Sequence, residues 1–440
     1  WHDIYAHMKT TKFQVITLIV FIVFIIAGVT MFATYKGSQS EQSLPPVTMW
    51  GTFPKDQFDQ YVVKVNNALP QQFNIRYEQV SAQSFLNRFV SALAKGAGPD
   101  AILVEADIIL PLQDKLTAIP YDLYPQRAFI DQFIDEAQVY LGNDGLIGIP
   151  FSVDPMVMYW NKDSFNAAGI PLPPKYWDEL RVVNKKLTTK DDNGTVTRSG
   201  AAMGDFSNVT NARELLGSLI LQSGNAVTGP SERGGLKSLL KSTGERSPVA
   251  AVTFFTQFVD PGNENYSWNH SWPDSRTAFV SGKLATYFGM ASELFALRNK
   301  NPNLNFDVSP IPQYRTGGVA ATYGKIYGFS IVKQSQVSNA AYQMIYTLTA
   351  PQFLYEISNG MYLPSVSRAI ISAGSKDPYV SRFNEAALIS RTWRDADSSV
   401  SSRIFGSMVQ TITTGRKSVA EALDEASEEY DAALLQAIGE

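Results

Sequence analysis

The residues best able to do chemistry in this chain are carboxylates and aromatic rings set where packing alone does not ask for them. Asp154 stands in PFSVDP, an otherwise apolar run. A carboxylate inside such a segment is costly unless donors reach it. Asp107 follows the apolar stretch AILV (101–104) by three residues, and Trp50 ends the apolar stretch VTMW (47–50). Trp268 and Trp272 share NYSWNHSWPDS, a polar stretch with proline and neither helical nor strand period, so one of the two rings is a candidate stacking platform. Flat apolar rings and hydrogen-bond-accepting carboxylates are together able to hold a polar ligand. Most of the 7 Trp, 20 Tyr and 25 Phe must nevertheless be core.

Nucleophilic and metal chemistry are poorly supplied. With no cysteine, disulfides, thiolate zinc sites and a catalytic thiol are excluded. Only three histidines occur; His2 and His7 precede a long apolar segment, so a Ser-His-Asp triad would have to be built on His270. Histidine-rich metal centres are excluded by the same count, and no cofactor is implied. Thirty-seven basic residues against 41 acidic ones give a net charge of −4, which argues against a nucleic-acid partner. No acidic pair stands in a recognisable glycosidase motif, although an anchored hydrolase working through paired carboxylates is the alternative reading.

The elements that position these residues follow from periodicity. VTMW reads as a strand, and Phe58, Tyr61, Val62, Val65 and Leu69 mark one helix face after Pro54. FNIRYEQV (73–80) alternates as a strand, SFLNRFVSALAKG (84–96) repeats at helical spacing, and AILV is a short buried strand. That β-α-β-α-β order predicts a parallel sheet flanked by helices. DDNGTV (191–196) predicts a hairpin without calcium-loop spacing, and GPSERGGLKS (229–238) a surface loop rather than a phosphate loop. Ser418 with Glu421 is a capping box opening a terminal helix.

From Phe13 to Tyr35 no charged residue occurs, and about twenty residues at roughly 1.5 Å each span a bilayer as one helix. The run exceeds a signal-peptide core and no A-x-A-like site follows, so 13–35 is expected to be an uncleaved single-pass anchor in the cell membrane. Lys9 and Lys12 before it, against Lys36 after it, place the remainder outside. Met8 opens MKTTKF, residues 1–7 are given no role, and KGSQSEQSLPP (36–46) reads as a tether.

The order of motifs resembles one family, the extracellular solute-binding proteins of ABC importers, family 1, a sugar-binding group that includes maltose-binding proteins. The residues carrying the resemblance are LAKGAGPDAILVE (93–105), GLIGIPFSVDPMVMYWNKDSFNAAGIPLPPKYWDEL (145–180), FVSGKLATYFG (279–289), GFSIVKQSQVSNAAYQMIYTLTAPQFLYEISNGMYLPS (328–365) and TGRKSVAEALDEA (414–426). It implies a two-lobed α/β periplasmic-binding-protein-like fold with a hinge, behind the N-terminal transmembrane helix. Lobe one would be 47–152 plus 313–363, and lobe two 153–312 plus 364–440. The implied function is reversible capture of a carbohydrate outside the cell, by a monomer, for delivery to ABC permease subunits. A receptor signalling through a partner protein is a further alternative. By the family's pattern Asp154 on the first crossing segment is an acidic solute ligand, and Asp107 lies on a loop that reaches solute hydroxyls. Trp50, Trp268, Trp272, Glu293, Tyr323, Gly324 and Trp393 are further candidates for contact, whereas Tyr159, Trp160 and Trp177 are expected to pack.

Overall fold

The computed structural model describes residues 45–69, 73–232, 235–241, 243 and 247–439. The chain enters through β1 (Val47–Gly51), α1 (Lys55–Ala68), β2 (Ile75–Gln79), α2 (Ala82–Ala94) and β3 (Ala101–Glu105). β1 pairs in parallel with both β2 and β3, as the alternating order requires. Phe58, Tyr61 and Val65 of α1, and Phe85, Phe89 and Leu93 of α2, turn inward at helical spacing.

Two long strands then organise everything else. β4 (Ile149–Asn161) is buried at every position, and β8 (Thr322–Val332) runs antiparallel to its first half. Between them come β5 (Val196–Ala201), α3 (Ala212–Gln222), β6 (Leu284–Met290) and β7 (Phe306–Pro310). The main sheet runs β2-β1-β3-β8-β4-β6-β5, ending on the short strand Thr189–Lys190, with β7 also paired to β4. α4 (Ser398–Thr413) and α5 (Val419–Ala437) close the chain, α5 behind the expected Ser418–Glu421 capping box.

The sheet is continuous but the core is not, which makes the molecule two-lobed. One hydrophobic cluster gathers β1, β3, α1 and α2 with Phe151 and Val153 of β4 and Ile326 and Phe329 of β8. A second takes Met156 to Tyr159 of β4, Tyr323 of β8, α3, β6, α4 and α5, with a small satellite cluster around Trp160 and Phe165. Both long strands therefore change cores in mid-course, β4 at Asp154–Pro155 and β8 at Gly324–Lys325. Those residues are register partners, Gly324 opposite Pro155 and Lys325 opposite Asp154. Val366 and Ile371 pack in the first core, and Tyr314 lies against the second.

The hairpin expected at 191–196 is present, Thr189–Lys190 pairing with β5. The stretch expected as a plain loop at 229–238 differs: Thr228–Pro230 and Leu236–Ser238 form a two-stranded ladder, because Ser238 is tied down by Asp431 of α5. Among the described residues no helix is long and apolar enough to cross a membrane. The anchor expected at 13–35 and most of the tether lie outside the described residues.

Candidate functional site

Side chains alternate between the two faces of a strand, and register partners share a face. Lys325 and Asp154 therefore project to the same side of the crossing. Glu105 joins them there because it stands opposite Tyr327 of β8. Charge inside an apolar strand needs a reason, and here three strands bring their charges to one place.

Asp154 is 7% exposed, and its Oδ1 accepts from the backbone N–H of Ser292 at 2.9 Å. Burial pushes its carboxyl up to about 6, against the pull of the Ser292 donors and Lys325. Asp107 is buried in the turn after β3, and burial followed by the neighbouring Glu105 raises its carboxyl well above the usual range. Glu105 is raised by burial too, with Lys325 and Arg213 opposing. The Lys325 ammonium is held above its ordinary value, chiefly by Glu105, with Glu214, Asp154 and Asp107 adding to the effect. A lysine surrounded by carboxylates at a point where two lobes meet is equipped to exchange hydrogen bonds with a polar molecule entering between them.

Tyr323 and Trp393 stand at the edge of this cluster. Tyr323 is fully buried; its hydroxyl donates to Glu105 Oε1 at 3.4 Å and accepts from Arg213 Nη1 at 3.2 Å. Trp393 meets it edge-on at 5.4 Å, and its indole N–H donates to the Tyr430 hydroxyl at 2.9 Å. Asp154, Asp107 and Tyr323 are thus brought into one neighbourhood, with Trp393 beside it.

Of the remaining candidates Glu293 adjoins the cluster, next to the Ser292 whose N–H reaches Asp154, whereas Trp50, Trp268 and Trp272 have other partners. The half-buried ring of Trp50 is covered by the Arg88 guanidinium at 4.6 Å. Trp268 has no exposed surface, stacks on Trp272 at 5.1 Å and donates its N–H to Asn208 Oδ1 at 2.7 Å. Glu293 is occupied: it accepts from Tyr287, Arg276, Asn211 and the Met290 N–H at 2.6–3.0 Å. Tyr159 and Trp177 are buried and donate to Met290 O and Gln222 Oε1, consistent with packing. Trp160 stacks obliquely on Phe165 at 5.0 Å.

Two cavities open elsewhere on the surface, and no residue of the cluster lines either. One of about 930 Å³ lies between Leu86 and Val90 of α2 and Val400 and Ala433 of α4 and α5. Another, of about 680 Å³, is lined by Phe206, Asn269, His270 and Gln410, and Arg403 borders both. Each is within the size range of small-molecule sites. The lone His270 does meet a serine and an aspartate here, but not as a triad. Ser207 Oγ (2.9 Å) and Asp205 Oδ2 (3.4 Å) both approach the same ring nitrogen, Nδ1, and the ring is 85% exposed. A triad needs the nucleophile and the orienting carboxylate on opposite nitrogens.

Sequence reasoning missed Glu105, Arg213 and Lys325. Lys325 carried the same signal as Asp154, a charge inside the apolar run TYGKIYGFSIV. Arg213 sits in the first turn of α3, where a charge is unremarkable, and carried none.

The fold is shared with solved structures. A cyclic α-maltosyl-1,6-maltose-binding protein from Arthrobacter globiformis superposes with a TM-score of 0.71 at 18% identity, covering 89% of this chain and all of that one. A cyclo/maltodextrin-binding protein complexed with maltotetraose gives 0.71 at 16% identity, covering 90% and 98%. A Brucella abortus protein described as a binding protein is 22% identical over 324 residues, 73% of this chain and 75% of its own length. The model of one family, bacterial extracellular solute-binding protein, matches residues 56–353, more than half of the chain. With that match added to two cores joined through a charged crossing, the chain belongs to the bacterial extracellular solute-binding proteins.

Proposed function

We propose that this protein captures a carbohydrate, an oligosaccharide in particular, between its two lobes and delivers it unchanged to an ABC importer. The observation that carries this reading is the crossing itself, where β4 and β8 pass between separate cores and present Asp154, Lys325 and Glu105 on one face. A solute bound there touches both lobes and so favours the closed arrangement. The working lobe division follows the two cores, with the crossings at Asp154–Pro155 and Gly324–Lys325. The sugar ligands named for the Arthrobacter protein and the maltodextrin-binding protein support the choice of solute class.

Asp154 and Asp107 are the proposed solute ligands. Tyr323 and Trp393 shape the wall behind them; Trp268, without exposed surface, is proposed to pack. Charge-assisted hydrogen bonds are worth about 1.5–3 kcal/mol. Asp154→Asn is therefore expected to weaken affinity roughly tenfold or more, while Trp177→Phe lowers thermal stability with little effect on affinity. Titration calorimetry against an oligosaccharide panel, with product analysis of each mixture, tests this. Unchanged affinity in Asp154→Asn would move the site elsewhere, and turnover of a sugar would make the protein an enzyme.

Residues 13–35 are proposed to anchor the lobes outside the cell membrane. Mass spectrometry of membrane-extracted protein is expected to find this segment retained. A mature N-terminus beyond Tyr35 refutes the anchor without touching the solute site.

A further inference from the structure

Behind the crossing, on the face of β8 away from Asp154 and Lys325, another carboxylate is buried without a donor. Glu136 lies in the 3-10 helix Asp135–Tyr140 and is 3% exposed, and neither of its carboxylate oxygens has a hydrogen-bond partner. Its Oε2 lies 2.3 Å from where a Cβ on Gly324 would stand, so only glycine at that position lets the carboxylate rest on the strand. Ser390 favours its charge, but that hydroxyl donates to the Ala387 carbonyl at 2.8 Å.

The charged groups around Glu136 are committed elsewhere. Arg391 pairs with Asp135 at 2.7 Å, and Arg368 takes the other oxygen of that carboxylate. Arg394 donates to the carbonyls of Val139 and Leu141. On the adjoining helix Gln126–Gln132, Arg127 and Asp131 pair with each other at the surface. Tyr140 donates to the Ile326 carbonyl, and Lys325 points to the opposite face of β8. Burial above all, with Asp154 adding and Arg391 opposing, lifts the Glu136 carboxyl to about 7.

This carboxylate sits in a seam between the lobes. Its own segment packs in the first core through Ile134 and Ala137, while Arg391–Arg394 reaches the second through Trp393. A cavity of about 460 Å³ lies between the two segments, lined by Glu136, Thr228 and Trp393 among others. Seam and solute cluster are on opposite faces of the same two strands. A bend that brings the lobes together over Asp154 and Lys325 therefore draws the seam apart.

We propose that Glu136 is a proton-linked wedge of the hinge, releasing its proton when the lobes close, so that solute is held more tightly as pH rises towards neutrality. The affinity half of this rests on the solute-capture reading above. The sign follows from linkage. In the shut seam the neutral acid is favoured up to about 7, whereas a hydrated glutamate ionises near 4.5. Between those values the shut seam binds more protons than the opened one, so rising pH favours opening of the seam and closure of the lobes. Above about 7 the dependence flattens, because Glu136 is ionised in both states.

The absence of native cysteine allows a clean distance measurement in the full-length chain. Val63→Cys and Val182→Cys, both exposed and one in each lobe, accept spin labels or dyes. Without solute, the distance between them is expected to shorten from pH 5.5 to 7.5. Glu136→Gln should hold it constant, and Glu136→Asp should restore a reduced response. With a bound oligosaccharide, affinity should tighten over that range by roughly tenfold more in the parent than in Glu136→Gln, which keeps only the slope that the Asp154 carboxyl, at about 6, contributes. A pH-independent distance in the parent, or the same slope in Glu136→Gln, overturns the proposal. Should the glutamine variant not fold, an unaltered slope in Glu136→Asp counts against it equally. A distance response through Glu136 without binding of any oligosaccharide leaves the hinge wedge standing and sinks the solute reading. Binding without a pH-dependent distance does the reverse.

Discussion

Arg213→Met is expected to lower the unfolding free energy by about 3–5 kcal/mol, because it leaves a buried carboxylate without its cation. Arg213 of α3 is 3% exposed and binds Asp395 Oδ2 at 2.5 Å, Ser401 Oγ at 2.7 Å and the Tyr323 hydroxyl at 3.2 Å. Its guanidinium also lies over the Trp393 ring at 4.7 Å. Asp395 has no exposed surface, and accepts in addition from the Ser401 and Tyr430 hydroxyls at 2.6 Å each. Two neutral donors do not replace a guanidinium in a medium that disfavours charge. Removing both charges in Arg213→Met with Asp395→Leu should recover most of the loss, since an apolar pair of similar volume has no desolvation cost. Denaturant midpoints of the parent, both single variants and the double variant decide it. A single variant within about 1 kcal/mol of the parent, or a double variant no better than the worse single one, would show the ion pair to be incidental.

Trp268→Ala should cost a similar amount, about 3–5 kcal/mol, the usual range for emptying a fully buried aromatic site. The ring is lost from the second core, Trp272 loses its stacking partner, and Asn208 Oδ1 loses its donor. Affinity for a bound oligosaccharide, corrected for the folded fraction, should hardly change. That contrast separates the two roles a tryptophan in a polar loop can have. If thermal stability is kept while affinity falls tenfold, the ring contacts solute and the buried arrangement is not the one that binds. Trp272→Ala, at a half-buried ring, should show the same pattern at smaller amplitude.

Local pattern reached the architecture well. β1, α1, β2, α2 and β3 were legible because apolar residues recur at period two or near 3.6, and capping at Ser418 is a short-range hydrogen-bond pattern that a sequence carries by itself. Residue pattern alone marked the candidate site most clearly where a charge broke an apolar run, while Tyr323 and Trp393 came from the family resemblance. Asp154 was visible for that reason, and Lys325 offered the same clue. Glu136 and Arg213 were not, because each sits at an unremarkable helical position and acquires its character from partners far along the chain. Asp395 lies 182 residues from Arg213, and Gly324 meets Glu136 only after β8 has found its register.

Aromatic composition was the weakest guide. Two tryptophans in a polar, aperiodic stretch look superfluous to packing, yet Trp268 is buried completely in the second core, its indole N–H held by Asn208 and its backbone N–H by the Phe258 carbonyl. Periodicity reports only the face that a regular element turns inward, and a loop has none.

By itself, then, the sequence determined the element order, the parallel pairing of β1, β2 and β3 and the absence of thiol chemistry, since these depend on near neighbours and on counting. Tertiary structure alone decided where the two cores separate, that Asp154 and Lys325 stand opposite each other, and that Glu136 is shut behind them. Register sets which face a charge occupies, and packing sets how far water is removed from it. Neither quantity is a property of a residue or of its neighbours in the chain.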